Sequence, residues 1–196
     1  MAASKSSSKS TSTRSKAAKA AAKTRRTRRT GRRDPLAVRL LKEDHREVEK
    51  MFDEYEQLDD EQEKLELFNR IALALKVHTM IEEEIFYPEE RGDVEDDMLD
   101  EAFVEHDGAK KLIAEIEAME PGEQYYDAKV KVLGEYIKHH VKEEEQPGGI
   151  FSQAKKGDED LEEMGERIQA RKEELMAEMG EPMMAKPSTR KNGRKH

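Results

Sequence analysis

The sequence contains no cysteine and no tryptophan, and aromatic residues make up only 5% of its 196 residues. Without cysteine the chain cannot form a disulfide framework, a zinc–thiolate site or a thiol nucleophile. It has no apolar run near the roughly 20 residues that a membrane-spanning helix needs, and its basic start lacks the apolar segment of a secretory signal. We therefore expect a cytoplasmic protein. The few aromatics, together with many Glu, Lys, Ala and Leu, favour amphipathic helices over a β-sandwich.

Charge is divided unevenly along the chain, whose net charge is −9. Residues 1–33 contain 12 Lys or Arg and no acidic residue, whereas residues 34–180 contain 19 basic and 44 acidic residues. Residues 181–196 are basic again, with 5 basic residues and 1 acidic residue. The ends have too few apolar side chains to offset the entropy lost on ordering. We predict disordered basic tails at residues 1–33 and 181–196.

Apolar residues recur at steps of three and four in four segments, at about residues 35–58, 61–87, 94–119 and 123–145. This spacing is typical of helices that bury one face in a bundle. The short connections predict antiparallel neighbours, so we expect an all-α, up-down-up-down four-helix bundle at residues 34–152. A more polar fifth helix within residues 153–180 would dock on the bundle or on another protein.

Four of the six histidines fall in register with these apolar faces, one on each predicted helix. The second and fourth of them are each followed four residues later by a glutamate, which places the two side chains on one face. Each half of the chain therefore repeats a lone histidine and then His-x-x-x-Glu. The candidate metal ligands are His45, His78, Glu82, His106, His140 and Glu144. Four imidazoles and two carboxylates without sulfur favour a di-iron or di-manganese centre.

Other interpretations of these residues are less consistent with the pattern. A single histidine on a buried face is more often a hydrogen-bonded core residue than a ligand. Two buried glutamates, however, would each cost several kcal/mol without a partner. Acid–base catalysis by a Glu–His pair would leave the two-fold repetition unexplained. His139 precedes Glu143 at the same spacing, but the apolar face continues to His140, which leaves His139 as an outer or surface group.

The chain from about residue 34 to 152 resembles the hemerythrin-like HHE cation-binding domain. The matching stretches are LLKEDHREV around His45, HTMIEEEIFYP from His78, EHD around His106 and HHVKEEE from His139. The resemblance implies a non-haem di-iron centre, with two iron ions as the cofactor and manganese or zinc as alternatives. It also implies that the two glutamates bridge the ions, and that the centre meets dioxygen, another small diatomic molecule or peroxide.

Two departures from the oxygen-carrying members of that family bear on function. Those members have a further histidine four residues after the one on the third helix, where this chain has Lys110. They also use an aspartate near the end of the fourth helix, where this chain has Glu144 or Glu145. The resemblance thus implies a protein that responds to oxygen, redox state or iron, as a sensor, store or stress protectant. The alternative is an enzyme that turns over peroxide, nitric oxide or ferrous iron.

The basic N-terminal segment, residues 1–33, predicts a partner of its own. Lysine and arginine arms bind phosphate backbones by releasing counterions, without reading the bases. We therefore predict binding to DNA or another polyanion, which would place the protein at the nucleoid. A solubility tail, a partner for the acidic body and a transit peptide are the alternatives. A transit peptide should show an apolar helical face, which this segment lacks.

Overall fold

A computed structural model describes the backbone of residues 33–184 and the side chains of residues 33–180. This part of the chain is all-α, as predicted, and contains no β-strand. The helices are α1 (Leu36–Tyr55), α2 (Glu61–Ile81), α3 (Tyr87–Glu90), α4 (Asp96–Glu117), α5 (Tyr126–Glu145), α6 (Ile150–Ala154) and α7 (Leu161–Met184). A π-helical turn, Glu82–Phe86, joins α2 to α3.

Helices α1, α2, α4 and α5 form the four-helix bundle. Helix α1 packs against α2 and α5, and α4 packs against the same two helices. Each helix therefore has two neighbours, and the four make a closed ring. The connections are short enough to keep sequential helices antiparallel, as the sequence predicts. Within the described residues, no helix is long and apolar enough to cross a membrane.

The core of the bundle consists of two apolar clusters separated by a polar layer. One cluster includes Leu41 of α1 and Ala102 of α4, and the other includes Val48 and Ala109, two turns farther along the same helices. His45 and His106 lie between these positions along their helices. The two apolar clusters therefore hold the polar layer at mid-height in the bundle, away from both ends.

Helix α7 docks on the bundle, which was one of the two alternatives that its sequence left open. It packs on α1 and α2 and buries Leu161, Met164, Ile168 and Leu175. Gly165 permits the close approach, because a Cβ there would lie 2.6 Å from the backbone nitrogen of Ala37. A larger residue at this position would push α7 away from α1.

The helix ends differ from the sequence prediction in several places. The second predicted helix, residues 61–87, corresponds to α2, the π-helical turn and α3, and helical structure continues past Pro88 to Glu90. Pro88 is accommodated because it lies in the first turn of α3, where its missing N–H costs nothing. Helix α5 begins three residues later than predicted, after Tyr125 in the left-handed conformation (φ 76°). The short helix α6 was not predicted. Helix α7 continues to Met184, and nearly all other residues of the predicted tails lie outside the described part of the chain.

Candidate metal centre

The structure brings all six predicted ligands together in the polar layer of the bundle. Their side chains are buried, with no residue more than 5% exposed. They come from every helix of the ring: His45 from α1, His78 from α2, Glu82 from the π-helical turn, His106 from α4, and His140 and Glu144 from α5. The choice of His140 over His139 agrees with this placement, because His139 is 58% exposed.

The four histidines form two pairs whose ring nitrogens point at one another. His45 Nε2 lies 3.1 Å from His78 Nε2, and His106 Nε2 lies 3.2 Å from His140 Nε2. Each pair joins two neighbouring helices, α1 with α2 and α4 with α5. The repeated sequence halves thus become two similar half-sites.

The two glutamates connect the half-sites. Glu82 Oε2 lies 3.2 Å from His78 Nε2 and 3.3 Å from His106 Nε2. Glu82 therefore contacts one histidine from each pair, and the same is true of Glu144. Glu144 Oε2 lies 3.2 Å from His45 Nε2 and 3.7 Å from His140 Nε2. Two ligand clusters result, and Glu82 belongs to both of them.

Tyr87 adds a buried hydroxyl group that the sequence analysis did not identify. Its O–H donates to Glu144 Oε1 at 2.9 Å and lies 3.3 Å from Glu82 Oε2. In a regular α-helix, a residue five positions after Glu82 would point roughly 140° away from it. The π-helical turn closes an i→i+5 hydrogen bond from Tyr87 N–H to Glu82 O, which brings Tyr87 back to the site. Burial and the two carboxylates raise the pKa of Tyr87 well above its usual value, so its proton is retained.

An outer layer of carboxylates contacts the far ring nitrogen, Nδ1, of each histidine. We call Asp44, Glu83, Glu105 and Glu145 the outer carboxylates. The Nδ1 distances are 2.8 Å from His45 to Glu145, 3.0 Å from His106 to Glu83, 2.7 Å from His140 to Glu105 and 3.6 Å from His78 to Asp44. At His45, His106 and His140, a carboxylate that accepts the Nδ1 proton leaves Nε2 of the neutral ring as the inward-facing ligand atom, which is the tautomer that a metal ligand needs. His78 Nδ1 is farther from its carboxylate and forms no hydrogen bond within the described residues.

Basic side chains in turn hold the outer carboxylates. Arg46 lies 2.5 Å from Glu145, and Lys110 lies 2.6 Å from Glu83. Lys110 therefore supports a histidine from outside, although the sequence analysis placed it at the position of an additional ligand. Lys172 of α7 pairs with Asp44, so the fifth helix reaches the surroundings of His78. These contacts are long-range, and none of them was predicted.

Charges within the centre shift the pKa values of its buried groups. Burial by itself lowers the pKa of His78, but the carboxylates of Glu82 and Asp44 outweigh this and raise it to about 10. Burial also disfavours the charged form of Glu82, yet His78 and His106 bring its pKa well below the usual value. The centre without metal therefore holds protons on imidazole that a bound cation would replace.

The donor set fits a pair of cations. With each Nδ1 directed at an outer carboxylate, the Nε2 atoms of each histidine pair face each other at about 3 Å. Glu82 Oε1 and Glu144 Oε2 are buried and accept no hydrogen bond. Nitrogen and carboxylate oxygen atoms that converge in this way need positive charge between them, which imidazole protons supply without metal and cations would supply in their place. Nitrogen and oxygen donors without sulfur suit first-row divalent ions.

Comparison with known proteins identifies the family of the chain. The family model of the hemerythrin HHE cation-binding domain matches residues 36–147. The chain belongs to the hemerythrin HHE cation-binding domain family. This membership confirms the resemblance that the sequence motifs carry, and it makes the protein a member of a metal-cation-binding family. Helix α7 lies outside the matched residues, although its Lys172 contacts an outer carboxylate.

Two individual proteins show how far the likeness extends. A DNA nickase from Nostoc sp. is 29% identical over 114 residues, which is 58% of this chain and 32% of that protein. The chain thus spans about a third of this relative's length. The crystal structure of a hemerythrin HHE cation-binding domain-containing protein from Mycobacterium kansasii has a TM-score of 0.65 at 23% identity, covering 76% of this chain and 93% of that one. This HHE structure shows that the fold is shared.

Proposed function

We propose that this HHE protein binds two iron ions in a non-haem centre and responds to oxygen, redox state or iron, as a sensor, store or stress protectant. The observation that supports two ions is the position of the glutamates. Glu82 and Glu144 each contact a histidine from both pairs, so each is placed to bridge two ions. A single ion would need only one of the two histidine pairs.

Iron held here would supply one-electron redox chemistry and a coordination position for a small ligand. The chain supplies the surroundings. The outer carboxylates fix the histidine tautomers and make the imidazoles more basic. The Tyr87 hydroxyl oxygen lies 2.9 Å from Glu144 Oε1, to which it donates, and it could donate instead to a ligand in the centre. The apolar clusters above and below keep bulk water out of the site.

Metal analysis of three variants tests the ligand assignment. The unmodified protein, loaded with ferrous iron, should hold about two iron ions per chain. Glu82→Ala and Glu144→Ala should each lose at least one of them and lower the melting temperature of the loaded protein, because metal bound only to the folded state stabilises it. Glu135→Ala, at an exposed position on α5, is the matched control. Unchanged iron content in both centre variants would contradict the assignment.

An enzyme that turns over peroxide, nitric oxide or ferrous iron is the alternative function. The buried Tyr87 hydroxyl favours it, because a hydroxyl that keeps its proton can donate a hydrogen bond to a peroxide or nitric oxide molecule in the centre. Stopped-flow absorption with excess peroxide separates the two functions. A sensor should give one stoichiometric spectral change, whereas an enzyme should consume peroxide continuously. Tyr87→Phe should slow that consumption and leave the iron content unchanged.

We further propose that the basic N-terminal segment tethers the protein to DNA or another polyanion. Residues 1–33 carry 12 positive side chains and no acidic one. The acidic body should repel DNA, so any attraction must come from this segment or from the basic C-terminal residues. The relative from Nostoc sp. bears the name DNA nickase, which is consistent with a connection to DNA.

A further inference from the structure

A third group of metal-ligand side chains lies at the surface, just outside the candidate metal centre. It consists of Glu105 of α4 with His139 and Glu143 of α5, whose ligand atoms all lie within 4.8 Å of one another. His139 Nε2 lies 3.2 Å from Glu143 Oε1 and 3.6 Å from Glu105 Oε1. Glu105 also contacts His140 of the buried centre, but His139 and Glu143 have no part in the function proposed above.

Two of the three distances within this group are close to those of ligands around one ion. In a tetrahedral site with metal–ligand bonds of about 2.0–2.1 Å, neighbouring ligand atoms lie about 3.3 Å apart. The separations of 3.2 and 3.6 Å around His139 Nε2 are close to this value. The spacing of His139 and Glu143, four residues apart on one helix, gives the same alignment as His140 and Glu144. A cation could therefore bind without rearrangement of α4 or α5.

The charge balance around the outer carboxylates provides an independent argument. Three of the four have a permanently charged partner, namely Arg46, Lys110 or Lys172. In the described part of the chain, Glu105 forms ion pairs with histidines alone, His139 and His140. Unlike lysine or arginine, an imidazole carries no permanent charge, and Glu143 adds a second carboxylate beside Glu105. Among the four outer carboxylates, Glu105 thus lacks the permanently charged partner that the other three have in the described part of the chain.

We propose that Glu105, His139 and Glu143 bind a divalent first-row metal ion at the surface. The imidazole donor favours zinc or ferrous iron over magnesium and calcium, which prefer oxygen ligands alone. Water molecules would complete the coordination, because His139 is 58% exposed. The ion occupies the place that a basic side chain takes at the other outer carboxylates.

This outer ion is linked to the buried centre through a single carboxylate. Glu105 Oε1 faces His139, and Glu105 Oε2 accepts the Nδ1 proton of His140 at 2.7 Å. An ion on Oε1 withdraws negative charge from Oε2 and weakens this hydrogen bond. Occupancy of the surface site therefore changes how firmly Glu105 holds the ring of His140, a predicted ligand of the buried centre.

Zinc titration of the iron-loaded, dialysed protein tests the proposal, with bound zinc and iron measured by elemental analysis and affinity by calorimetry. The unmodified protein should bind one more zinc ion per chain than His139→Ala. Glu143→Gln should weaken that binding at least roughly tenfold, as loss of a supporting group at a metal site does. Lys138→Ala, at an exposed neighbouring position on α5, should bind zinc normally.

The comparison does not depend on which metal occupies the buried centre, because all the variants share that centre. Failure of the iron assignment would change the iron content of every protein equally, without removing the zinc difference. Glu143→Gln preserves side-chain size and supplies a second test should His139→Ala disturb iron binding. Equal zinc binding by the unmodified protein, His139→Ala and Glu143→Gln would overturn the proposal and leave His139 and Glu143 as an ion pair. An equal loss in Lys138→Ala would also overturn it.

Discussion

Glu90 is a buried carboxylate with no hydrogen-bond partner, and it should lower the stability of the protein at neutral pH. It ends α3, its side chain is fully buried, and neither carboxylate oxygen accepts a hydrogen bond. Burial, and then the neighbouring carboxylates Asp93, Glu159 and Glu89, raise its pKa to about 7. We predict that Glu90→Gln stabilises the folded protein at neutral and alkaline pH.

The direction of the pH dependence follows from the raised pKa. The folded state holds the Glu90 proton more tightly than the unfolded state does, so this group lowers stability as pH rises from about 4.5 to about 7. The full difference between these values corresponds to roughly 3 kcal/mol. Solvent near the neighbouring carboxylates screens part of their repulsion with Glu90, so we expect the loss in free energy of unfolding to be about 1–2 kcal/mol. Glu90→Gln should exceed the unmodified protein by this amount at pH 8 and match it at pH 4.

Urea unfolding followed by circular dichroism at pH 4, 6 and 8 measures the effect. A chelator in every sample removes metal binding from the comparison. Glu101→Gln, at an exposed position on α4, is the control and should show little difference at any pH. A constant difference between Glu90→Gln and the unmodified protein across this range would refute the reasoning. Lower stability of Glu90→Gln at pH 8 would show that the charged carboxylate has a stabilising partner.

Three further predictions concern the outer groups and the basic segment. Lys172→Met should leave Asp44 without its positively charged partner and speed metal release to a chelator roughly tenfold. Two control variants should release metal at the normal rate: Lys172→Arg, which keeps the charge, and Arg167→Met, which removes a charge that pairs with Glu89 instead. Lys110→His should shift the absorption spectrum and slow air oxidation of the reduced protein; reversible oxygen binding by the unmodified protein would contradict our interpretation of this position. Duplex DNA affinity should fall with salt at a log–log slope up to roughly −10, and deletion of residues 1–33 should abolish binding but preserve metal content. Equal, weak binding by both forms would exclude this segment as the tether.

The buried faces of regular helices could be predicted from the sequence, and irregular backbone could not. The apolar positions of α4 that recur at three- and four-residue steps, from Leu99 to Ile116, are all buried. This spacing fails just after Glu82, where the π-helical turn inserts a residue into the helical repeat. Ile85, which the same spacing places inward, is only partly buried, and Phe86 is buried in its place. Because of the same insertion, a regular period of 3.6 residues would wrongly place Tyr87 away from the centre.

The outer carboxylates escaped prediction because they bind across helices. Periodicity identifies residues that share a face of one helix, and it contains no information about which side chain on a neighbouring helix they meet. The pairing of Lys172 with Asp44 spans 128 residues, and that of His45 with Glu145 spans 100. Such pairs emerge only when the packing of the ring is known.

The sequence nevertheless contains a signal for these pairs. Every outer carboxylate is the immediate neighbour, along the chain, of a predicted metal ligand. Asp44 precedes His45, Glu105 precedes His106, Glu83 follows Glu82, and Glu145 follows Glu144. A residue one position from an inward-facing ligand is rotated by about 100° around the helix, which places it at the seam with the next helix. Each outer carboxylate therefore contacts a histidine on a neighbouring helix, not its own.

These contacts close around the bundle in one direction. Asp44 of α1 contacts the histidine of α2, and Glu83 after α2 contacts that of α4. Glu105 of α4 contacts His140 of α5, and Glu145 of α5 contacts the histidine of α1. Because each helix both orients a ligand of the next helix and has its own ligand oriented by the previous one, no half-site can form alone. The doubled sequence pattern therefore specifies a single cooperative centre, whose geometry depends on all four helices packing together.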